Sequence, residues 1–138
     1  MEPLPHWPRG TAAVLCVAGP HAIPVSTSMR ASDTSVLLAL GGKRETLSRL
    51  RDDPAAALCV LTEGLAFTAK GRARVVAEGI DPAPSLVVIG LEVDEVVDHL
   101  ADGRTEMLGG APWRWQDEKA AQSDPEILAA LEELAKAG

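Results

Sequence analysis

Aromatic side chains make up only 3% of this 138-residue chain, and tyrosine is missing altogether. The four aromatics are one phenylalanine and three tryptophans, two of which, Trp113 and Trp115, stand close together. Cysteine is almost as scarce. Cys16 and Cys59 each sit inside an apolar, strand-like run, which reads as small buried hydrophobes rather than a disulfide framework, and so as a chain kept in a reducing cytoplasm. Basic residues are outnumbered, 13 against 20 acidic ones, and the net charge of −7 excludes a general nucleic-acid binder, which carries a basic field. No apolar run is long enough for a membrane-crossing helix; residues 86–91 are far too short. The first nine residues hold three prolines and no apolar block, so they do not read as a signal peptide. His6, His21 and His99 are scattered without metal-ligand spacing, and no serine–histidine–acid order or cysteine–histidine pair stands out. The expectation is therefore no metal, no nucleic acid and no membrane, with the catalytic residues, if any, unassigned.

What is present is enough apolar residue for one core. Hydrophobic residues make up 46% and charged residues 24%, a composition that folds, and a domain of this size buries roughly two thirds of its unfolded surface. Residues 11–18 form an apolar run, Gly19 and Pro20 signal a turn, and residues 23–29 return, together a β-hairpin. A turn at residues 31–33 leads into a third strand at 35–40. Leu47 and Leu50, three apart among charges, predict a helix over 43–52 that ends at Asp53 and Pro54, because the residue before proline avoids the helical region. A short buried strand follows at 55–62 and a turn at Glu63–Gly64. Residues 65–78 then alternate, with Leu65, Phe67, Ala69, Gly71, Ala73 and Val75 on one face and Thr68, Lys70, Arg72 and Arg74 on the other, the mark of a half-buried strand. Residues 79–84 read as a turn and 86–97 as the sixth strand. Residues 102–122 look irregular. Asp124, as a cap, and Pro125, as first helical residue, predict the start of a C-terminal helix whose buried stripe is Ile127, Leu131 and Leu134.

Six strands at short spacing, one helix after the third and one at the end, predict a mainly β protein: a six-stranded antiparallel Greek-key split barrel in one domain over 1–138. The barrel takes about 11–98, and a flap and helix take about 102–138. The interior of so small a barrel is filled by side chains, so a large ligand binds outside it or between subunits. The junction of the third strand and the first helix suits an anion. Gly41 and Gly42 let backbone come close, the helix start offers unpaired N–H groups, and Lys43, Arg44 and Thr46 supply donors, with Arg49 one turn on. The alternative is an exposed basic helix start with no ligand. The apolar strands leave outer faces to cover, and the Ala-rich terminal helix covers only part of them, which predicts a dimer.

The ordered series resembles a known family. Pro24, Val25 and Ser26 on a hairpin strand, the basic helix of residues 47–54 ending in Asp53–Pro54, the apolar strand of residues 57–60 and the run Gly71, Arg72, Ala73, Arg74, Val75, Val76 are similar to the pyridoxamine 5′-phosphate oxidase-like flavin-binding split barrels, over about residues 11–98. That resemblance implies a cytoplasmic homodimer with FMN in two shared clefts and an oxidoreductase acting on a small molecule. Counting back from Pro54, many relatives place a phosphate-binding lysine where this chain has Thr46, preceded by Glu45; Lys43 and Arg44 compensate. Some relatives bind a deazaflavin coenzyme or haem instead, so the alternatives are a deazaflavin-dependent reductase and a flavin- or haem-binding dimer without turnover. On this reading Ser26 and Ser28 share one sheet face, Thr27 faces the other, and their hydroxyls match the polar edge of a flavin ring. Lys70 is the cation placed to face the ring's pyrimidine end, and Trp113 and Trp115 form a flap that stacks on a flat ligand.

Overall fold

The computed structural model describes residues 1–81 and 83–137. Pro82, inside the turn predicted at 79–84, and Gly138 lie outside the described residues. The elements run β1 (Ala13–Val17), β2 (His21–Val25), β3 (Met29–Ser32), β4 (Ser35–Gly41), α1 (Glu45–Asp52), β5 (Ala55–Thr62), β6 (Leu65–Ile80), β7 (Ala83–Asp98) and α2 (Glu118–Ala137). All strand pairs are antiparallel, in the order β2-β1-β5-β6-β7-β4-β3. The chain leaves β4 through α1, runs the meander β5-β6-β7 and brings β7 back against β4, which is a Greek-key path.

Period two builds the core. Along β1, Ala13, Leu15 and Val17 point inward and Val14 and Cys16 outward, so the expectation that Cys16 is buried is corrected: period two turns it to the outer face of the sheet, where it is exposed. Along β4, Val36, Leu38 and Leu40 enter the barrel, where they meet Leu15, Leu58, Val60, Phe67, Ile89 and Leu91. Leu37, between them, is buried as well, because α2 covers the outer face of β4. There Leu37 and Val88 pack against Leu131, with Ile127, Leu128 and Leu134 half-buried around them. The predicted helical stripe of Ile127, Leu131 and Leu134 is therefore the face that docks. Gly64 takes a φ of 72° in the turn between β5 and β6, the left-handed conformation that favours glycine.

Two further expectations are corrected. Residues 23–29 do not form one strand: β2 ends at Val25 and β3 starts at Met29, giving seven strands rather than six. The break has a side-chain cause. The Thr27 hydroxyl donates to the Ala39 carbonyl (3.2 Å) and accepts from the Ala39 N–H (3.0 Å), taking the place of a backbone pair and turning the chain from one edge of the sheet to the other. The terminal helix begins at Glu118, not at Pro125. Asp117 caps it by accepting from the N–H groups of Lys119 (3.0 Å) and Ala120 (3.4 Å), and Pro125 lies inside the helix. No helix among the described residues is long and apolar enough to cross a membrane.

Candidate functional site

The barrel end at which β2 and β4 finish carries a cleft of about 270 Å³. Its barrel side is formed by Pro24, Val25, Ser26 and Thr27, by Ala39, Leu40 and Gly41 at the end of β4, and by Leu86 of β7. Arg44, the residue capping α1, stands at one side. The opposite wall is Trp115 with Ala120, Ser123, Asp124 and Ile127 of α2. The lining is mainly apolar, with a guanidinium, a carboxylate and hydroxyls set into it, the usual composition of a small-molecule site.

This cleft brings together five of the residues expected at a ligand site: Ser26, Thr27, Gly41, Arg44 and Trp115. Lys43 is adjacent in the chain and exposed. Trp113 stands behind Trp115 rather than in the cleft. Its indole N–H donates to the Gly10 carbonyl (2.6 Å), and its ring meets Trp115 edge-on at 5.2 Å between centroids. Trp113 thus fixes the position of Trp115.

The remaining candidates have other partners. Gly42 gives its N–H to the Ser85 carbonyl (2.9 Å), so that amide is not free for an anion, and its lack of a side chain serves the same approach: a Cβ there would lie 3.0 Å from that oxygen. Thr46 is 1% exposed, and its hydroxyl is bonded to His21 Nε2 at 2.9 Å. His21 Nδ1 in turn lies 3.3 Å from Glu45. The expectation that Thr46 faces a ligand is corrected on this ground; it ties the helix start to the end of β1–β2, and His21, given no role from the sequence, is the residue that holds it. Arg49 donates to the Ala18 carbonyl (3.2 Å) and lies 3.7 Å from Glu45, turned away from the cleft. Lys70 stands beside Glu95 (3.9 Å) and lines a different, shallow hollow with Cys16 and Asp94. Ser28 is 3% exposed and lines a neighbouring groove; its carbonyl accepts from the Trp7 indole (3.3 Å), while its hydroxyl has no partner. The α2 wall escaped the sequence reading, since nothing in residues 118–127 signals which barrel end the helix covers.

The charge pattern around the cleft is distinctive. Arg9, Arg30, Arg49, Arg51, Lys70, Arg74 and Lys136 are each within ion-pair distance of a carboxylate. Lys43, Arg44, Arg114 and Lys119, all in or next to the segments that line the cleft, have no such partner among the described residues, and neither do Arg72 and Arg104 elsewhere. On a chain of net charge −7 these cations stay available to an anionic group. Asp124 is the carboxylate in the lining. No group of three or more His, Cys, Asp or Glu side chains among the described residues is arranged to hold a metal ion.

No protein-family model matches the chain, and no curated protein matches it. Solved structures do. A candidate pyridoxamine 5′-phosphate oxidase from Lactobacillus delbrueckii is 17% identical with a TM-score of 0.54, over 63% of this chain and 84% of that one. An FAD-binding protein from Mesorhizobium loti is 13% identical with a TM-score of 0.52, over 62% and 83%. An F420 reductase is 12% identical with a TM-score of 0.52, over 64% and 90%. The sheet order, the helix between β4 and β5 and these likenesses agree: the chain has the fold of the pyridoxamine 5′-phosphate oxidase-like split barrels.

Proposed function

We propose that this chain binds a flavin-type cofactor, FMN, in the cleft beside Arg44 and acts as an oxidoreductase on a small molecule. The observation that carries the reading is the convergence of an apolar floor, a hydroxyl-bearing strand end and two cations without carboxylate partners at one barrel end. The donor set fits a phosphomonoester. Arg44 and Lys43 would hold it through charge-assisted bonds, which are about twice as strong as neutral ones. Ser26 and the backbone around Val25 would face the polar edge of the ring, and Trp115, braced by Trp113, offers a stacking surface. Bound there, the flavin supplies the hydride and electron transfer, which is why the chain needs few reactive side chains of its own.

The cofactor names of the structural neighbours, FAD in one and F420 in another, support a flavin-type ring while leaving its identity to experiment. Burial of Thr46 favours a second reading, a deazaflavin coenzyme, because it removes a donor from the phosphate end. Parallel titrations with FMN and the deazaflavin coenzyme, followed by ligand fluorescence, test both. The proposal expects saturable FMN binding that weakens about 10- to 100-fold in Arg44→Ala, the loss of one hydrogen bond to a charged group. Colourless protein that ignores both ligands would overturn it.

A further inference from the structure

Ser28, expected at the flavin and absent from the cleft, borders a larger hollow. This groove, of about 390 Å³, lies where the N-terminal segment, the edge strand β3 and the last turns of α2 meet. It shares no lining residue with the 270 Å³ cleft, and its volume falls within the roughly 300–1,000 Å³ of small-molecule sites. Trp7, Met29, Ala31 and Ala135 give it apolar walls. Trp7 is fixed in place by its indole N–H on the Ser28 carbonyl and by Phe67, 5.5 Å away between ring centroids. Two donors in the groove have capacity to spare. The Ser28 hydroxyl is buried and bonded to nothing among the described residues, whereas folded proteins satisfy most such groups. The Arg30 side chain, 18% exposed, spends Nε on the Leu4 carbonyl (3.0 Å) and Nη2 on Asp33, which leaves Nη1 without a partner among the described residues. Asp33 itself is 75% exposed, so water weakens that pair. Arg9 and Lys136 stand at the rim, Arg9 paired with Glu132 and Lys136 3.6 Å from the exposed Glu133. The lining thus holds three cations against one carboxylate, Glu132, on a chain of net charge −7.

We infer that this groove is a second ligand site, for a small organic carboxylate with an apolar or aromatic body. Head group and body each have a counterpart. An ionised carboxylate only accepts hydrogen bonds, Ser28 and Arg30 both donate, and bonds to an ionised acceptor are the strong ones. The body lies along Trp7 and Met29, out of water. A neutral molecule of the same shape leaves the guanidinium unanswered. Inorganic phosphate, strongly hydrated and without an apolar part, gains nothing from those walls. The bound carboxylate joins three stretches distant in sequence: residues 6–9, residues 28–31 and the end of α2. Residues 120–127 of the same helix wall the cleft, so the ligand braces that wall from its far end. The inference does not rest on the proposed cofactor reading.

Benzoate is the probe, with benzyl alcohol and inorganic phosphate as controls. The chain has three tryptophans, so proton–nitrogen correlation NMR of the full chain shows three indole signals, and Trp7→Phe assigns the one in the groove. Benzoate should move the Trp7 signal saturably and leave those of Trp113 and Trp115 in place, while both controls act at least about 10-fold more weakly. Ser28→Ala removes a hydroxyl that bonds nothing in the free protein, so the melting temperature should stay within about 2 °C or rise. The same change should weaken benzoate about 10-fold, and Arg30→Gln about 10- to 100-fold. Arg44→Ala should bind benzoate as the unchanged chain does. No saturable shift, or binding that survives both Ser28→Ala and Arg30→Gln, overturns the inference. So does a shift confined to Trp115 and lost in Arg44→Ala, which would put benzoate in the cleft. Phosphate or benzyl alcohol binding as tightly as benzoate overturns the assignment of a carboxylate. FMN titration of Ser28→Ala keeps the two proposals apart, since its affinity for FMN should not change.

Discussion

Truncating Leu131 probes the joint on which the candidate site depends. Leu131 is the side chain of α2 that is fully shielded, at 0% exposure, between Leu37 of β4 and Val88 of β7. The same helix carries Ser123, Asp124 and Ile127, which wall the cleft. Buried leucine-to-alanine changes cost about 2–5 kcal/mol, more where the surroundings cannot collapse into the cavity. A surface helix can settle toward its sheet, so Leu131→Ala should fall in the lower half, about 2–3 kcal/mol. For a chain of this length each kcal/mol moves the melting temperature by about 3–4 °C, giving a drop of about 6–12 °C. Leu128→Ala, at a half-buried position in the same layer, should cost about half as much. Thermal and urea unfolding followed by circular dichroism measure both. A drop below about 2 °C for Leu131→Ala would show that α2 is not docked on β4 and β7, and the cleft would lose its second wall.

Other substitutions test neighbouring steps of the reasoning. Gly71→Ala should be among the most damaging single changes, about 3 kcal/mol or more by urea midpoint, because the irregularity between Lys70 and Gly71 brings the Glu92 carbonyl onto the space a Cβ would fill. Thr46→Val should cost about 1–2 kcal/mol by leaving the His21 ring nitrogen unpaired, while FMN affinity stays the same, since that hydroxyl does not face the cleft. Lys70→Ala should leave FMN affinity unchanged by fluorescence titration, because Lys70 stands beside Glu95 in a separate hollow; a loss comparable to that of Arg44→Ala would place the ring in that hollow instead.

Much of the fold was legible because period two is a local signal. The alternation of Phe67, Ala69, Gly71, Ala73 and Val75 against Thr68, Lys70, Arg72 and Arg74 survives in the structure as the two faces of β6, whereas the apolar run of β1 did not reveal that Cys16 faces outward. What failed depended on partners far along the chain or on a choice between two local signals. The break at residues 26–28 comes from a threonine hydroxyl bonded to Ala39, and no neighbour of Thr27 announces that bond. The start of α2 was misplaced because Asp124 and Pro125 are a stronger local signal than Asp117, which caps the helix. The site divides in the same way. Gly41 and Arg44 were legible as a strand end meeting a basic helix start, and Ser26 and Thr27 as hydroxyls on a hairpin strand that the family resemblance placed beside a ring; the cleft brings the four together. Gly42, Thr46 and Arg49 belong to the same stretch of sequence, yet Ser85, His21 and Ala18 claim them first.

The central claim is that unpaired cations beside Gly41 hold a flavin by its phosphate. Comparing FMN with riboflavin, which shares the ring but lacks the phosphate, tests it most directly by equilibrium fluorescence titration. The account predicts that FMN binds about 10- to 100-fold more tightly and that Arg44→Ala abolishes most of the difference. Equal affinities for the two, or a preference for FMN that survives loss of both Arg44 and Lys43, would contradict it.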